Sequence, residues 1–168
     1  MSLFTYHTGR LEESSEKQPS KSPASEPGVK VVDGYYIWNK REFFKLDKYF
    51  NTEEFQCQCT HESCVEQRIS AELVDKLYAI REELGRPLKV TSGFRCEKHQ
   101  ADLRKAAVNT VVAKKSTHEL GDAADIRPAD RNMEGFEELC DPWFFSIGIA
   151  KTFLHVDLRD DKERRWNY

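Results

Sequence analysis

Apolar positions along this chain change their period several times, and each change marks a candidate element. From Ser70 to Leu84 the residues Leu73, Val74, Leu77, Ile80 and Leu84 recur at helical spacing. Ser70 can cap that helix, and Glu72 stands in its first turn, where the helix dipole favours an acid. Gly85 closes it and Pro87 blocks continuation. The next stretch alternates and predicts a strand over 88–91, ending at Gly93. A second helix is expected from about Lys98 to Val108, and a short one from Glu134 to Cys140, stopped by Asp141-Pro142. Two strands follow, Ser146 to Ala150 and Phe153 to Leu158, with a turn at Lys151-Thr152. Nearer the N-terminus, Val31-Val32 and Tyr35 to Trp38 read as extended segments about a turn at Asp33-Gly34. Phe43, Phe44, Leu46, Tyr49, Phe50 and Phe55 are available for packing, and Asn51 or Thr52 can open a short helical turn. No internal repeat is visible. The order of elements predicts an α+β domain with a small antiparallel sheet and flanking helices.

The first thirty positions break this pattern. Residues 11–29 are Ser, Glu, Lys and Pro with almost nothing to bury, a composition that cannot offset its chain entropy. Residues 1–30 are therefore expected to form a disordered tail or linker ahead of a domain over 31–168. The formal net charge of −3, from 26 basic and 29 acidic residues, lacks the basic excess of nucleic-acid proteins. A Cys/His nucleic-acid module is disfavoured on that ground. No apolar run approaches the roughly 20 residues of a membrane span. The N-terminus has no basic start followed by an apolar block, so synthesis in the cytoplasm without a signal peptide is expected. Oligomeric state is not legible.

Candidate chemistry sits in two stretches. "STHELGDAADIR" (116–127) carries His118 and Asp125, and "FLHVDLR" (153–159) carries His155 and Asp157. Strand side chains alternate, so His155 and Asp157 project to one face, while Leu154, Val156 and Leu158 share the other. Either pair alone is ordinary: a His and an Asp seven apart occur by chance, and a strand histidine is usually a satisfied core residue. Glu119 and Asp122 read as surface charges. Together, His118, Asp125 and His155 form a ligand set for catalytic zinc, which takes three protein ligands and keeps a position for water. Asp157, beside His155, is the candidate proton shuttle, and Arg95 is the candidate group for a carbonyl or oxyanion.

These motifs, "SGFR", "STHELGDAADI", "FLHVDLR" and a terminal "RRW", resemble the D-alanyl-D-alanine carboxypeptidase-like zinc peptidases over about Leu46 to Trp166. The hallmark matched is Ser116, His118, Gly121, Ala124 and Asp125, then His155 and Asp157. The resemblance implies the fold shared with the hedgehog signalling domain, a relative that warns against equating fold with activity. It implies Zn2+ on His118, Asp125 and His155, Arg95 at the substrate carbonyl, and Ser116 touching substrate or orienting a ligand. The substrate implied is a peptidoglycan stem peptide, cut by an endolysin-like endopeptidase or a D,D-carboxypeptidase. Such a protein acts on the cell wall, after release by a membrane-permeabilising holin or as part of a phage particle. Membrane insertion and nucleic-acid partners are not expected. The other reading is a zinc-containing murein-binding module without catalysis. Two departures stand out. Many relatives carry an acid three residues before the last His, where this chain has Thr152, so Asp157 must supply the base. The segment 96–115 is longer than in close relatives and is expected to reshape the cleft.

Five cysteines are present, an odd number that cannot all pair within the chain. Cys57, Cys59 and Cys64 cluster with His61, and Cys96 follows Arg95. A second, structural zinc, a disulfide among Cys57, Cys59, Cys64 and Cys96, and free thiols remain three open readings. Cys140 reads as plain core.

Overall fold

The computed structural model describes residues 30–107 and 115–168. The tail expected over 1–30 lies outside these residues except for Lys30, which opens the first strand. Strands β1 (Lys30–Val32) and β2 (Tyr35–Asn39) form a hairpin. Its two turn residues, Asp33 and Gly34, have φ of 50° and 80°, the mirror-image turn that matches the twist of a tight hairpin. Strand β3 (Glu66–Ser70) completes a three-stranded antiparallel sheet in the order β1-β2-β3. The short helix α1 (Thr52–Phe55) is opened by Asn51, whose side chain accepts from the Glu53 amide while Glu54 reaches back to the Asn51 amide.

Helix α2 (Ala71–Leu84) matches its sequence pattern: Ser70 caps it, Gly85 ends it with a φ of 65°, and Leu73, Val74, Leu77 and Ile80 are buried. Helix α3 (Glu97–Ala106) begins slightly earlier than expected, with Cys96 as its cap; Val108, the expected end, lies outside the described residues. Helices α4 (Thr117–Leu120) and α5 (Phe136–Cys140) are short. The second sheet contains β4 (Leu88–Ser92), β5 (Ala123–Pro128), β6 (Ser146–Ile149), β7 (Leu154–Asp157) and β8 (Arg164–Asn167). Its order is β4-β5-β7-β6-β8, antiparallel except for the parallel edge pair β6–β8. The fold is α+β with largely antiparallel sheets. Among the described residues no helix is long and apolar enough to cross a membrane.

One core runs between the sheets and α2. It contains Leu46, Phe50, Phe55, Ile69, Leu77, Ile126, Leu154 and Val156, all nearly inaccessible. Burying each large apolar side chain contributes about 1.5–3 kcal/mol. Phe43, expected to pack, is instead exposed. Cys140 is fully buried in this core. Three strands are not visible as apolar alternation. In β3 one of the inward positions, beside Ile69, is Gln67, fully buried, whose Oε1 accepts from the Cys57 amide at 2.7 Å and whose Nε2 donates to the Glu66 carbonyl at 3.0 Å. β5 is written in Ala, Asp and Ile and is buried on both sides, and β8 is a polar edge.

Helix α2 carries one unfavourable charge. Asp75 is pushed up to about 6 by partial burial and by the nearby charges of Asp47 and Glu72. A carboxyl whose folded pKa exceeds its unfolded value stabilises the fold below the unfolded pKa, and that contribution is lost as pH rises through about 6. Asp75→Asn is expected to raise unfolding free energy at pH 7.5 by about 1 kcal/mol, after discounting for solvent screening. It should leave stability at pH 4 nearly unchanged. Urea unfolding of both proteins at the two pH values checks this.

Candidate metal centre

The two central strands of the second sheet bring the chemistry together. β5 and β7 pair antiparallel with Asp125 opposite His155 and Ala123 opposite Asp157. Directly opposed residues share a face, so Asp125 and His155 meet side by side. His118 arrives from α4. Ser116 caps this single turn and accepts from the His118 amide, while Glu119 returns its carboxylate to the Ser116 amide at 2.9 Å. Glu119 is thus half of a capping box rather than a plain surface charge. Gly121 ends the turn with a φ of 81°, and a Cβ there would stand 2.9 Å from the Arg68 carbonyl oxygen. Both conditions select glycine. Asp122, also expected on the surface, accepts from the Tyr35 hydroxyl at 2.7 Å and ties the two sheets.

Three ligand-type atoms form a small triangle. His118 Nε2 lies 3.1 Å from His155 Nδ1, His155 Nδ1 lies 3.0 Å from Asp125 Oδ1, and His118 Nε2 lies 3.3 Å from Asp125 Oδ1. A tetrahedral zinc with bonds of about 2.0–2.1 Å separates its ligand atoms by about 3.3 Å. The outer hydrogen bonds aim lone pairs inward. His118 Nδ1 donates to the Gly93 carbonyl at 2.6 Å, which leaves Nε2 as the lone-pair nitrogen. His155 Nε2 donates to Asp157 Oδ2 at 3.2 Å, which leaves Nδ1 facing the triangle. All three residues are buried. Two imidazole lone pairs and a carboxylate brought this close fit a divalent cation.

The charges are arranged accordingly. Burial alone would raise the Asp125 pKa, but the adjoining His118 and His155 rings hold it far below the usual carboxylate range. Burial lowers the His118 pKa, which favours the neutral ligand form. In His155 burial acts the same way but is outweighed by Asp125 and Asp157, which raise it. Arg95 bonds the outer oxygen of Asp125 through Nη2, and Ser92 Oγ accepts from its Nε at 2.9 Å. Its expected post at a substrate carbonyl therefore changes: the guanidinium is engaged with a ligand carboxylate, although it still borders the cleft.

Asp157 is also placed differently from expectation. Its side chain is fully buried behind His155, against the ring nitrogen that faces away from the triangle. Ser146 Oγ donates to Oδ2 at 2.9 Å, Arg159 Nη2 donates to Oδ2 at 2.6 Å, and the Arg159 amide and Nε donate to Oδ1 at 3.0 and 2.9 Å. Burial opposes ionisation there, but His155 and Arg159 keep the carboxyl well below its ordinary pKa. A base must reach the reacting proton, directly or through one water, and this carboxylate does not line the cleft. Thr152 is exposed in the turn before β7.

The triangle opens onto a cleft of about 620 Å³. Lys115, Ser116 and Thr117 border it beside His118, and Gln100 and Leu103 of α3 also line it. The expected influence of segment 96–115 on the cleft thus has a described part in α3 and Lys115. Arg159, Arg164, Trp166 and Tyr168 line it as well. Arg159 closes "FLHVDLR" and Arg164 and Trp166 belong to "RRW", but the sequence assigned none of the four a role, although Arg164, Trp166 and Tyr168 stand two apart and a period-two reading of "RRWNY" puts them on one face. The Trp166 ring centroid is 5.5 Å from that of His155. Its seat depends on Gly148, where a Cβ would come within 2.5 Å of the indole. Gly148→Ala is expected to cost about 1–3 kcal/mol by overpacking and to raise KM by displacing Trp166. Thermal unfolding with steady-state kinetics reads both effects.

Cys57, Cys59, Cys64 and Cys96 converge separately, at the start of α3, and none is in a disulfide. Cys59 Sγ and Cys96 Sγ are 3.6 Å apart, far beyond the roughly 2.05 Å of a disulfide. His61 pairs with Asp102 at 2.7 Å and is not among the clustered ligand-type residues.

The family model described as Peptidase M15 matches residues 48–157, a span that contains the whole triangle and all four clustered cysteines. That family comprises zinc peptidases and includes the D-Ala-D-Ala carboxypeptidase-like enzymes. Searches of curated proteins and of solved structures return no match.

Proposed function

Because this chain belongs to the peptidase M15 family, we propose that it is a zinc peptidase that hydrolyses a peptide bond in peptidoglycan stem peptides. The observation that carries the reading is the triangle of His118, Asp125 and His155 at the floor of a basic, aromatic cleft. Zinc held there supplies Lewis acidity and brings the pKa of water toward neutrality. The protein's own residues prepare the site. The Gly93 carbonyl and Asp157 hold the outer N–H groups of His118 and His155, which fixes both rings and raises their basicity. Arg95 neutralises the outer oxygen of Asp125 and fixes its orientation. Asp157 acts as a positioning residue.

The cleft favours a peptide that carries carboxylates. Arg95, Lys115, Arg159 and Arg164 border it together with Trp166 and Tyr168, and no Asp or Glu lines it among the described residues. Stem peptides present free carboxylates and D-residues, so an extended acidic peptide suits these walls and ordinary proteins are poor substrates. The endopeptidase reading, of endolysin type, goes with action on the wall after holin release or from a phage particle. The D,D-carboxypeptidase reading places a terminal carboxylate in the same basic cleft. Synthetic stem peptides with D-residues and their all-L counterparts, analysed by mass spectrometry, test this. Cleavage is expected only in the D-containing series, and the fragments name the bond. Equal cleavage of both series would overturn the substrate assignment.

A second reading, a zinc-containing murein-binding module, is favoured by one observation: no carboxylate faces the cleft among the described residues to act as base. Retention on murein without product release would establish it.

A further inference from the structure

We propose that Cys57, Cys59, Cys64 and Cys96 hold a second, structural zinc ion, which fastens the loop before β3 to the segment carrying Arg95. The four sulfur atoms all lie within 4.8 Å of one another. A tetrahedral tetrathiolate site with Zn–S bonds of about 2.3 Å sets its sulfurs about 3.8 Å apart, and the Cys59–Cys96 separation is 3.6 Å.

The surroundings suit thiolates. Each sulfur faces a donor. The Cys96 amide points to Cys57 Sγ at 3.3 Å, Gln67 Nε2 to Cys64 Sγ at 3.4 Å, the His99 amide to Cys96 Sγ at 3.4 Å, and Lys40 Nζ to Cys59 Sγ at 3.8 Å. Such N–H···S contacts spread the charge of metal-bound sulfur. A tetrathiolate zinc carries two net negative charges, and the Lys40 ammonium offsets part of that. Binding replaces four thiol protons with one divalent cation, with no change of oxidation state. His99 Nδ1 lies 3.2 Å from Cys57 Sγ and is a further outer partner.

The location gives the metal a purpose. Residues 57–65 contain no helix or strand. Their sulfurs and Phe94 form a small cluster of their own, apart from the main core. So little apolar mass holds a loop weakly, and small cores of this kind are commonly stapled by a metal. Cys96 links the staple to the cleft twice. It caps α3, whose Gln100 and Leu103 line the cleft, and it follows Arg95, whose guanidinium holds Asp125. Free thiols would leave that junction without a cross-link, and a disulfide would use only two of the four sulfurs.

The test uses the full chain, purified under reducing conditions without chelator, beside His118→Ala and Cys59→Ser. The expected zinc content is two per wild-type chain and one in His118→Ala. X-ray absorption of the His118→Ala protein should show a shell of sulfur alone at about 2.3 Å. Cys59→Ser should lose the sulfur shell and become sensitive to proteases between residues 57 and 64. Should that variant fail to fold, the His118→Ala spectrum still decides. A His118→Ala protein without metal, with a nitrogen–oxygen shell, with iron, or lighter by two hydrogens through a disulfide overturns the proposal. Its failure is separable from that of the peptidase reading: hydrolysis by a protein lacking sulfur-bound zinc sinks only this inference, and sulfur-bound zinc without hydrolysis sinks only that one.

Discussion

His118→Ala is expected to abolish hydrolysis and to empty the His118–Asp125–His155 site. The side chain is 1% exposed, anchored to Gly93 and aimed at the other two ligand atoms. Removing one of three ligands leaves a two-point site. Zinc held there would contribute several kcal/mol to transition-state stabilisation, so the rate should fall by about a thousandfold or more. The fold should persist, because the apolar core between the sheets and α2 keeps all of its own side chains. Circular dichroism checks the fold, metal analysis checks the site, and a fluorescent assay for new amino groups checks activity. A variant that retains both its full metal and its rate would remove His118 from the mechanism.

Asp157→Asn separates two roles for the same residue. A positioning carboxylate keeps the His155 Nε2–H anchored, so its loss weakens metal binding by about 10–100-fold, and excess zinc restores much of the rate. A general base contributes about 10²–10⁴ to the rate, and excess zinc would restore none of it. The geometry selects the first outcome, since Asp157 meets the ring nitrogen that points away from the triangle and every acceptor on it is engaged. The variant should also lose stability, because Arg159 is left facing a neutral amide. Zinc titrations of activity for both proteins give the answer. An unchanged zinc affinity with an unrecoverable rate would return the base role to Asp157.

The convergence of His118, Asp125 and His155 was legible in the sequence because their spacing is tied to structure. Asp125 and His155 stand on neighbouring antiparallel strands, and His118 is carried on a capped turn whose Ser116 and Gly121 are written beside it. What lay hidden depends on orientation. Strand alternation puts Asp157 on the face of His155 but says nothing about which ring nitrogen it meets. Arg95 reads as a strand-end charge until its guanidinium is seen against Asp125. Helix α2 was plain from its apolar stripe. β3 was masked by the buried Gln67, and β5 by residues that favour strands only because both of its neighbours bury it. The cleft wall formed by Arg164 and Trp166 follows from the parallel pairing of β8 on β6, a long-range event that local pattern does not announce.

The most direct test of the central claim is to incubate the zinc-loaded protein with purified peptidoglycan and count new amino groups, with a chelator-treated sample and His118→Ala alongside. The account predicts steady release by the zinc-loaded protein, none after chelation, recovery on adding zinc, and none from the variant. Full zinc occupancy with no release from walls of several chemotypes would contradict it and leave the murein-binding module in its place.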